Sequence, residues 1–225
     1  MERIEIGTYE DLRDTLRVRL VDMKSGAEAL RNTVYEPVGC GYALAAYIEL
    51  PEHIAEHGIA NFPRSLAAES GTDPKRILED ALAGSLAHDP PKLCPVNDML
   101  FGDAGGNLLE GGEMAEDSMF LVMTTEDGIL GAAALYYPDI QKRICEIVGG
   151  DYYVLPSSVH EVLILPDNGE ADPKALAKMV GEINATQVSP AERLGDRVLH
   201  YRGDIGRMQV AADLDKIRDR EKERG

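Results

Sequence analysis

Four residues close together in the chain carry the side-chain types of a serine hydrolase: Ser157, Ser158, His160 and Glu161. Nucleophilic catalysis needs a hydroxyl, a base within hydrogen-bond reach and an acid that orients the base. The spacing is unfavourable, because neighbouring residues of a strand point to opposite faces and Glu161 then cannot orient His160. The chain also lacks the Gly-x-Ser-x-Gly elbow of one large hydrolase class.

Two interpretations fit this cluster. The first is a hydrolase that uses Ser157 or Ser158 as nucleophile and His160 as base. The second is a Pro-Ser-Ser turn whose hydroxyls bind backbone groups, followed by a histidine held by hydrogen bonds. We favour the second interpretation, since the cluster has the right residue types in the wrong spacing.

The run His53-Ile54-Ala55-Glu56-His57 matches the H-x-x-E-H zinc pattern. On a helix the two histidines would share a face and bind Zn²⁺, with Glu56 as general base. Pro51 and Gly58 leave barely two helical turns, and no second motif supplies a third ligand. We therefore expect no metal at this run, and the sequence indicates no cofactor.

Tyrosines gather at two places, Tyr136-Tyr137 and Tyr152-Tyr153, the second beside Asp151. Aromatic rings beside a sheet can stack on a ligand. More often such tyrosines line a half-buried sheet with their hydroxyls at its rim. The pattern therefore favours a structural role.

Acidic residues outnumber basic ones by 40 to 23, for a formal net charge of −17. Binding of a phosphate backbone needs a basic patch, so the balance argues against direct nucleic-acid binding. The excess either keeps the protein soluble or forms an acidic face that docks on a basic protein or nucleoprotein. For the docking hypothesis the first place to look is the segment 102–117, which has five glycines. Its acidic residues are Asp103, Glu110, Glu113, Glu116 and Asp117.

Several features indicate a cytoplasmic protein without membrane association. No apolar run approaches the roughly 20 residues that span a bilayer. The first five residues lack the apolar core of a secretory signal. Cys40, Cys94 and Cys145 are widely spaced and odd in number, which indicates free thiols in a reducing compartment.

The first 101 residues are predicted to contain two helices and a strand. A leucine at every fourth position after Thr8 predicts a helix over 8–29. The small apolar residues of 39–50 predict a strand. Asp73 as N-cap, with proline at the first helical position, predicts a helix over 73–86.

The rest of the chain is predicted to be a loop, a compact core and a tail. The glycine-rich loop 102–117 is the best candidate for a domain boundary. Residues 118–212 follow the order β-β-α-β-β-α-β, which indicates an α+β fold with a largely antiparallel sheet and helices packed on one face. Alternating charges over 213–225 predict an exposed helical tail. Strands are expected near 119–124, 132–135, 152–155, 161–165 and 197–201, and helices over 138–148 and 172–185.

Three stretches of the core resemble a known family. They are Gly131-Ala-Ala-Ala-Leu-Tyr-Tyr-Pro138, the run 149–162 with its Leu-Pro-Ser-Ser-Val-His-Glu-Val string, and Glu182-Ile-Asn-Ala-Thr-Gln-Val188. Residues 71–96 fit as well, although the resemblance implies an aromatic residue in place of Cys94. The family is an uncharacterised one of gut Firmicutes, often encoded near mobile genetic elements. The resemblance implies no activity, and we hypothesise an accessory or counter-defence protein of a mobile element.

Overall fold

The computed structural model describes residues 8–51, 53–55, 58–101, 106–112, 118–156 and 158–223. The chain divides into two units, Met1–Asp89 and Pro90–Gly225. Each unit is built on its own antiparallel sheet. Among the described residues, no helix has the length and apolar character needed to cross a bilayer.

The first unit has a four-stranded sheet in which β3 pairs with all three other strands. The predicted strand over 39–50 is confirmed as β3. The elements are α1 (Tyr9–Leu12), a 3-10 helix (Arg13–Thr15), β1 (Leu16–Asp22), α2 (Ala27–Leu30), β2 (Tyr35–Gly39), β3 (Tyr42–Glu49), β4 (Ile59–Asn61), α3 (Arg64–Ser70) and α4 (Pro74–His88).

The prediction of one continuous helix over 8–29 is wrong, because the middle of that range forms the strand β1 and only short helical turns stand on either side of it. A spacing of four residues is also a multiple of two, so leucines at this spacing share one face of a strand as well as of a helix. In the structure Leu16, Val18 and Leu20 alternate along β1 and are buried. The apolar spacing therefore marks a buried strand face.

Helix α4 confirms the prediction over 73–86 and extends it by two residues. The Asp73 carboxylate accepts a hydrogen bond from the Lys75 amide at 2.9 Å, as an N-cap does. Helix α4 packs on β1, where the Val18 amide donates to the Ser85 hydroxyl at 2.9 Å. The buried residues Ile77 and Ala81 of α4 join Ser85 in holding the helix on the sheet.

The second unit has a six-stranded antiparallel sheet in the order β10-β9-β7-β8-β6-β5. The α+β class with an antiparallel sheet is therefore confirmed. Its elements are β5 (Pro91–Pro95), α5 (Val96–Phe101), a 3-10 helix (Leu108–Glu110), β6 (Leu121–Thr125), a 3-10 helix (Gly131–Tyr136), α6 (Ile140–Val148), β7 (Tyr152–Leu155), β8 (Val162–Pro166), α7 (Pro173–Gln187), β9 (Arg197–Arg202), β10 (Arg207–Asp213) and α8 (Leu214–Lys222).

The predicted strand over 132–135 is wrong, because these residues lie in the 3-10 helix Gly131–Tyr136. A short run of small apolar residues suits a buried strand and a buried helix equally well. Tight packing against β6 favours the helix, since the Gly131 backbone lies directly on Thr124 and on the carbonyl of His160.

The helices of this unit pack on both faces of the sheet, whereas the sequence analysis placed them on one. Tyr153 packs in a cluster with Ala177 and Val180 of α7. Its neighbour Tyr152 points to the opposite face, where its hydroxyl donates to the Gln141 carbonyl of α6. All four residues of β7 are buried, so both faces need a covering element.

Strands β5 and β10 were not predicted, and they form the two edges of the sheet; β5 precedes the predicted core 118–212, whereas β10 lies at its end. Strand β5 precedes the 102–117 segment and pairs with β6, which follows it. The glycine-rich segment therefore connects two neighbouring strands.

Candidate functional site

The Ser-His-Glu cluster is built around the buried hydroxyl of Ser158. Ser158 is 6% exposed, and its Oγ accepts a hydrogen bond from the His160 backbone amide at 3.0 Å. The same hydroxyl hydrogen-bonds the carboxylate of Glu161. This is the backbone-binding turn that the sequence analysis favoured. Ser157 lies outside the described residues.

The two ring nitrogens of His160 contact Leu130 and Glu192. Its Nδ1 accepts a hydrogen bond from the Leu130 amide at 3.2 Å, which places the proton of the neutral ring on Nε2. Nε2 lies 3.6 Å from a carboxylate oxygen of Glu192. Within the described residues, neither nitrogen is placed to deprotonate Ser158. The ring instead holds the loop that leads into the 3-10 helix Gly131–Tyr136.

Replacing His160 with alanine should lower the free energy of unfolding by about 1–3 kcal/mol, because the partly buried Leu130 amide loses its acceptor. Urea denaturation followed by circular dichroism measures this change. Glu192→Gln is the control, since it alters only exposed contacts, the long one to His160 and a hydrogen bond from the Ser189 hydroxyl that glutamine can still accept, and should cost less than about 0.5 kcal/mol. Equal stability of H160A and wild type would contradict the structural role.

Burial raises the pKa of the Glu161 carboxyl. The electrostatic attraction of His160 and the hydrogen bond with Ser158 lower this pKa, but they offset only part of the rise. The folded protein therefore keeps the Glu161 proton to a higher pH than the unfolded chain does. The stability that protonated Glu161 contributes is fully present below the pKa of this carboxyl in the unfolded chain. It is lost as the pH rises through the pKa of the carboxyl in the folded protein. Glu161→Gln should thus gain stability relative to wild type between about pH 4 and pH 7. A constant difference across paired urea titrations at both pH values would contradict this.

The structure describes only His53, Ile54 and Ala55 of the H-x-x-E-H run. His53 is exposed in a turn between β3 and β4, and Glu56 and His57 lie outside the described residues. Within the described part of the chain, no group of three or more His, Cys, Asp or Glu side chains is placed to hold a metal ion.

The tyrosines around Asp151 belong to the core of the second unit. The rings of Tyr152 and Tyr201 stack with centroids 5.1 Å apart, and Tyr153 contacts the ring of His200 at 4.5 Å. Burial raises the pKa of the Tyr152 hydroxyl. These rings pack against one another, as the structural interpretation predicted.

A pocket of about 520 Å³ opens at the β5–β6 edge of the second unit, and we call it the β5–β6 pocket. Val122 of β6 lies opposite Cys94 of β5 on one side and opposite Leu163 of β8 on the other, so the three side chains point to the same face of the sheet. Leu163 packs against the cluster that contains Ala177 and Val180 of α7. Cys94 therefore points to the sheet face on which α7 packs, and α7 covers that face over β7, β9 and β10. The lining residues are Lys92, Cys94, Asp98, Met99, Gly106, Thr124, Thr125, Glu126, Asp127 and Gly128.

Three carboxylates and one ammonium group line this pocket. Lys92 Nζ lies 3.0 Å from Glu126 Oε2, and this hydrogen bond raises the pKa of Lys92. Asp98 makes no ion pair within the described part of the chain. Burial raises the pKa of the Cys94 thiol, so the thiol stays protonated at neutral pH. The charge of the pocket is therefore negative.

One buried hydroxyl beside the pocket has no hydrogen-bond partner among the described residues. Thr125 ends β6 and is 3% exposed, and its Oγ1 bonds no other group in that part of the chain. Its side chain points to the sheet face opposite Lys92 and Cys94, because neighbouring strand residues alternate. Thr124, beside it, donates from Oγ1 to the His160 carbonyl at 2.8 Å. The Ser-His-Glu cluster thus supports the wall of the pocket.

The pocket lies in a stretch of chain with an extreme charge pattern. Residues 93–141, here called the acidic segment, contain nine acidic residues and no lysine, arginine or histidine. Of the five acidic residues predicted as a binding face, Glu110 is exposed in a 3-10 helix. The other four, Asp103, Glu113, Glu116 and Asp117, lie outside the described residues. Three further acidic residues of the pocket, Asp98, Glu126 and Asp127, were not predicted as site residues. The absence of basic residues from 93–141 is the sequence signal that indicates them.

A family model described as a family of unknown function (DUF5688) matches residues 2–203 of the chain. No curated protein and no solved structure matches it. The matched range contains the Ser-His-Glu cluster and the β5–β6 pocket.

Proposed function

Because the chain belongs to this family of unknown function, we propose its function from charge and geometry: it binds a basic protein or nucleoprotein through the acidic segment. The observation that carries the proposal is the stretch of 49 residues between Lys92 and Lys142 that has nine acidic residues and no basic one. Such a stretch attracts a positively charged surface and repels a phosphate backbone. The partner is therefore a protein surface, with no direct contact to nucleic acid.

Exposed apolar side chains within the acidic segment support a docking role. Met99 is 51% exposed and lines the β5–β6 pocket, and Ile129 is 42% exposed next to Gly128 of the pocket. Charge steers association, while buried apolar contacts hold a complex together. Methionine is enriched at protein interfaces because its flexible side chain adapts to a partner. The acidic segment thus offers both long-range attraction and short-range contact.

The proposed biological setting follows from the resemblance to proteins encoded near mobile elements in gut Firmicutes. An acidic protein of such an element would act as an accessory or counter-defence protein by occupying the basic surface of a host protein or nuclease. Its surface then competes with nucleic acid for the same lysines and arginines.

The hydrolase alternative depends on Ser157, because the Ser158 hydroxyl is already bonded to backbone and to Glu161. A serine-reactive fluorophosphonate probe tests it directly. Labelling of wild type that disappears in Ser157→Ala would favour the enzyme. No labelling leaves the docking proposal as the better account of the chain.

A pull-down from a lysate of the source organism, at low and at high salt, tests the docking proposal. We expect a basic protein to be retained at low salt and released at high salt, and to bind again as a purified protein. Two variants decide where it binds. The neutralised variant combines Asp103→Asn, Glu110→Gln, Glu113→Gln, Glu116→Gln and Asp117→Asn. The matched control changes five exposed carboxylates elsewhere that make no ion pair within the described part of the chain: Glu28, Glu36, Glu69, Glu182 and Glu223, each to glutamine. Retention of no basic protein would overturn the proposal.

A further inference from the structure

We propose that Arg19 and Asn61, which share one face of the sheet in the first unit, bind the carboxylate group of a small organic acid. Only residues of this unit are involved, and docking through the acidic segment is not required. Three observations carry the proposal: a half-buried guanidinium group without a carboxylate partner, two open hydrogen-bond donors beside each other, and an exposed apolar side chain next to them.

Strand alternation and register place the two side chains on the same face of the sheet. The alternate apolar residues of β1 are buried on the other face, so Arg17 and Arg19 point away from them. Arg17 of β1 lies opposite Tyr47 of β3, and Tyr47 lies opposite Asn61 of β4. Residues directly opposite each other point to the same face. The contact is direct, because Arg19 Nη2 donates a hydrogen bond to Asn61 Oδ1 at 2.7 Å.

The guanidinium group of Arg19 is half-buried and has no carboxylate partner among the described residues. Burial lowers the pKa of Arg19, and only Tyr47 works against this shift. Its Nε is buried and makes no hydrogen bond. The neighbouring Arg17, by contrast, lies with Nη2 at 2.9 Å from Glu49 Oε2. A charge taken out of water without a counter-ion costs free energy, so the position of Arg19 points to an anion that binds there.

Two N–H donors beside each other are available for this anion. Nη1 of Arg19 and Nδ2 of Asn61 reach solvent and make no hydrogen bond within the described part of the chain. The hydrogen bond between the two side chains occupies only Oδ1 of Asn61, so the amide nitrogen is left as a donor. A carboxylate has two oxygens and accepts from several donors at once, and its bonds to a guanidinium group are charge-assisted.

The local charge and the neighbouring side chain indicate the kind of anion. Arg17 and Glu49 neutralise each other, so Arg19 supplies one uncompensated positive charge. A carboxylate matches it, whereas a phosphate dianion brings excess negative charge to a chain of net charge −17. Ile59 precedes Asn61 by two residues on the same face of β4 and is 38% exposed. An apolar group on the ligand can pack on it, so the ligand is a carboxylate with an apolar group.

Benzoate and benzamide test the inference on the intact protein. The two compounds share one ring, and only benzoate carries a charge. Amide shifts of 18–20 and 59–61 in ¹⁵N-labelled protein report binding in NMR titrations. We expect benzoate to shift these amides and the side-chain amide of Asn61, and benzamide to leave them unchanged. Inorganic phosphate is the third probe and should bind more weakly than benzoate.

Three variants sharpen this titration. Arg19→Met removes the charge and keeps an unbranched stem, so affinity for benzoate should fall about tenfold or more. Lys174→Met removes one positive charge from an exposed position on α7 and should bind benzoate as wild type does. Asn61→Asp places a carboxylate beside Arg19, so it should block benzoate and raise the midpoint temperature of unfolding. This variant keeps the test decisive if R19M does not fold.

Several outcomes would overturn the inference. They are absence of shifts with benzoate, equal shifts with benzoate and benzamide, tighter binding of phosphate than of benzoate, and unchanged benzoate affinity in R19M or in N61D. None of them bears on docking, because the neutralised variant changes only residues of the acidic segment. If that variant keeps the partner while benzoate binds as expected, docking through residues 102–117 is wrong and the carboxylate site stands.

Discussion

Replacing Gly131 with alanine should lower the free energy of unfolding by roughly 3 kcal/mol or more. A Cβ atom at this position would come within 2.7 Å of the His160 carbonyl oxygen and of the Thr125 amide nitrogen, and closer still to Thr124 Oγ1. Two of these three atoms belong to the backbone of the packed sheet region, which cannot move aside cheaply. The added methyl group also separates Thr124 from the His160 carbonyl and breaks their hydrogen bond.

Urea denaturation and thermal unfolding measure this effect, and the midpoint temperature should fall by roughly 10 °C. Gly150→Ala is the matched control, because a Cβ there meets no atom within 4 Å. Its φ angle is not positive either, so alanine fits the backbone and stability should change by less than about 0.5 kcal/mol. If G131A unfolds at the same denaturant concentration as G150A, the packing described at Gly131 is wrong.

The helices with explicit start signals could be predicted from the sequence. Asp73 and Asp172 each precede a proline, and in both helices the aspartate accepts the expected backbone hydrogen bond. Such signals act within a few residues, so they survive any tertiary arrangement. Helix α6 likewise ends at Gly149, whose φ of +78° belongs to the left-handed region that glycine favours.

The spacing of apolar residues predicted the wrong element where a helix and a strand share one pattern. The leucines after Thr8 suit a helix and a strand, and only pairing with β3 decides for the strand. The alanines after Gly131 suit a strand and a helix, and only packing on β6 decides for the helix. In both cases the deciding contact is tertiary: β1 pairs with a strand further along the chain, and Gly131 packs against Thr124 and the His160 carbonyl, which no local pattern shows.

The two parts of the candidate site differ in the same way. The role of Ser158 could be predicted, since a Pro-Ser-Ser turn binds its own backbone. The β5–β6 pocket could not, because its strands are separated by the whole 102–117 segment and meet only through sheet pairing. A charge count along the chain would have indicated the region without showing its shape.

Association with the purified partner should depend strongly on salt, and this is the second large effect that we expect. The acidic segment attracts a basic surface over distances that salt shortens to about 8 Å near 0.15 M. The association rate constant should therefore fall by about tenfold or more between low and physiological ionic strength. The dissociation rate constant should change much less, because apolar contacts around Met99 and Ile129 are not screened. Stopped-flow fluorescence over a series of salt concentrations measures both constants, and a flat association rate would contradict steering by charge.

The most direct test of docking through the acidic segment compares the neutralised variant and the matched control at low ionic strength. Both lose five negative charges, so they differ only in where the charge is removed. We predict that the neutralised variant associates with the partner about tenfold more slowly than wild type, whereas the matched control stays within about twofold of it. Equal slowing of both variants would show that only total charge matters, and unchanged rates in both would show that charge does not direct binding. Either result would contradict the account.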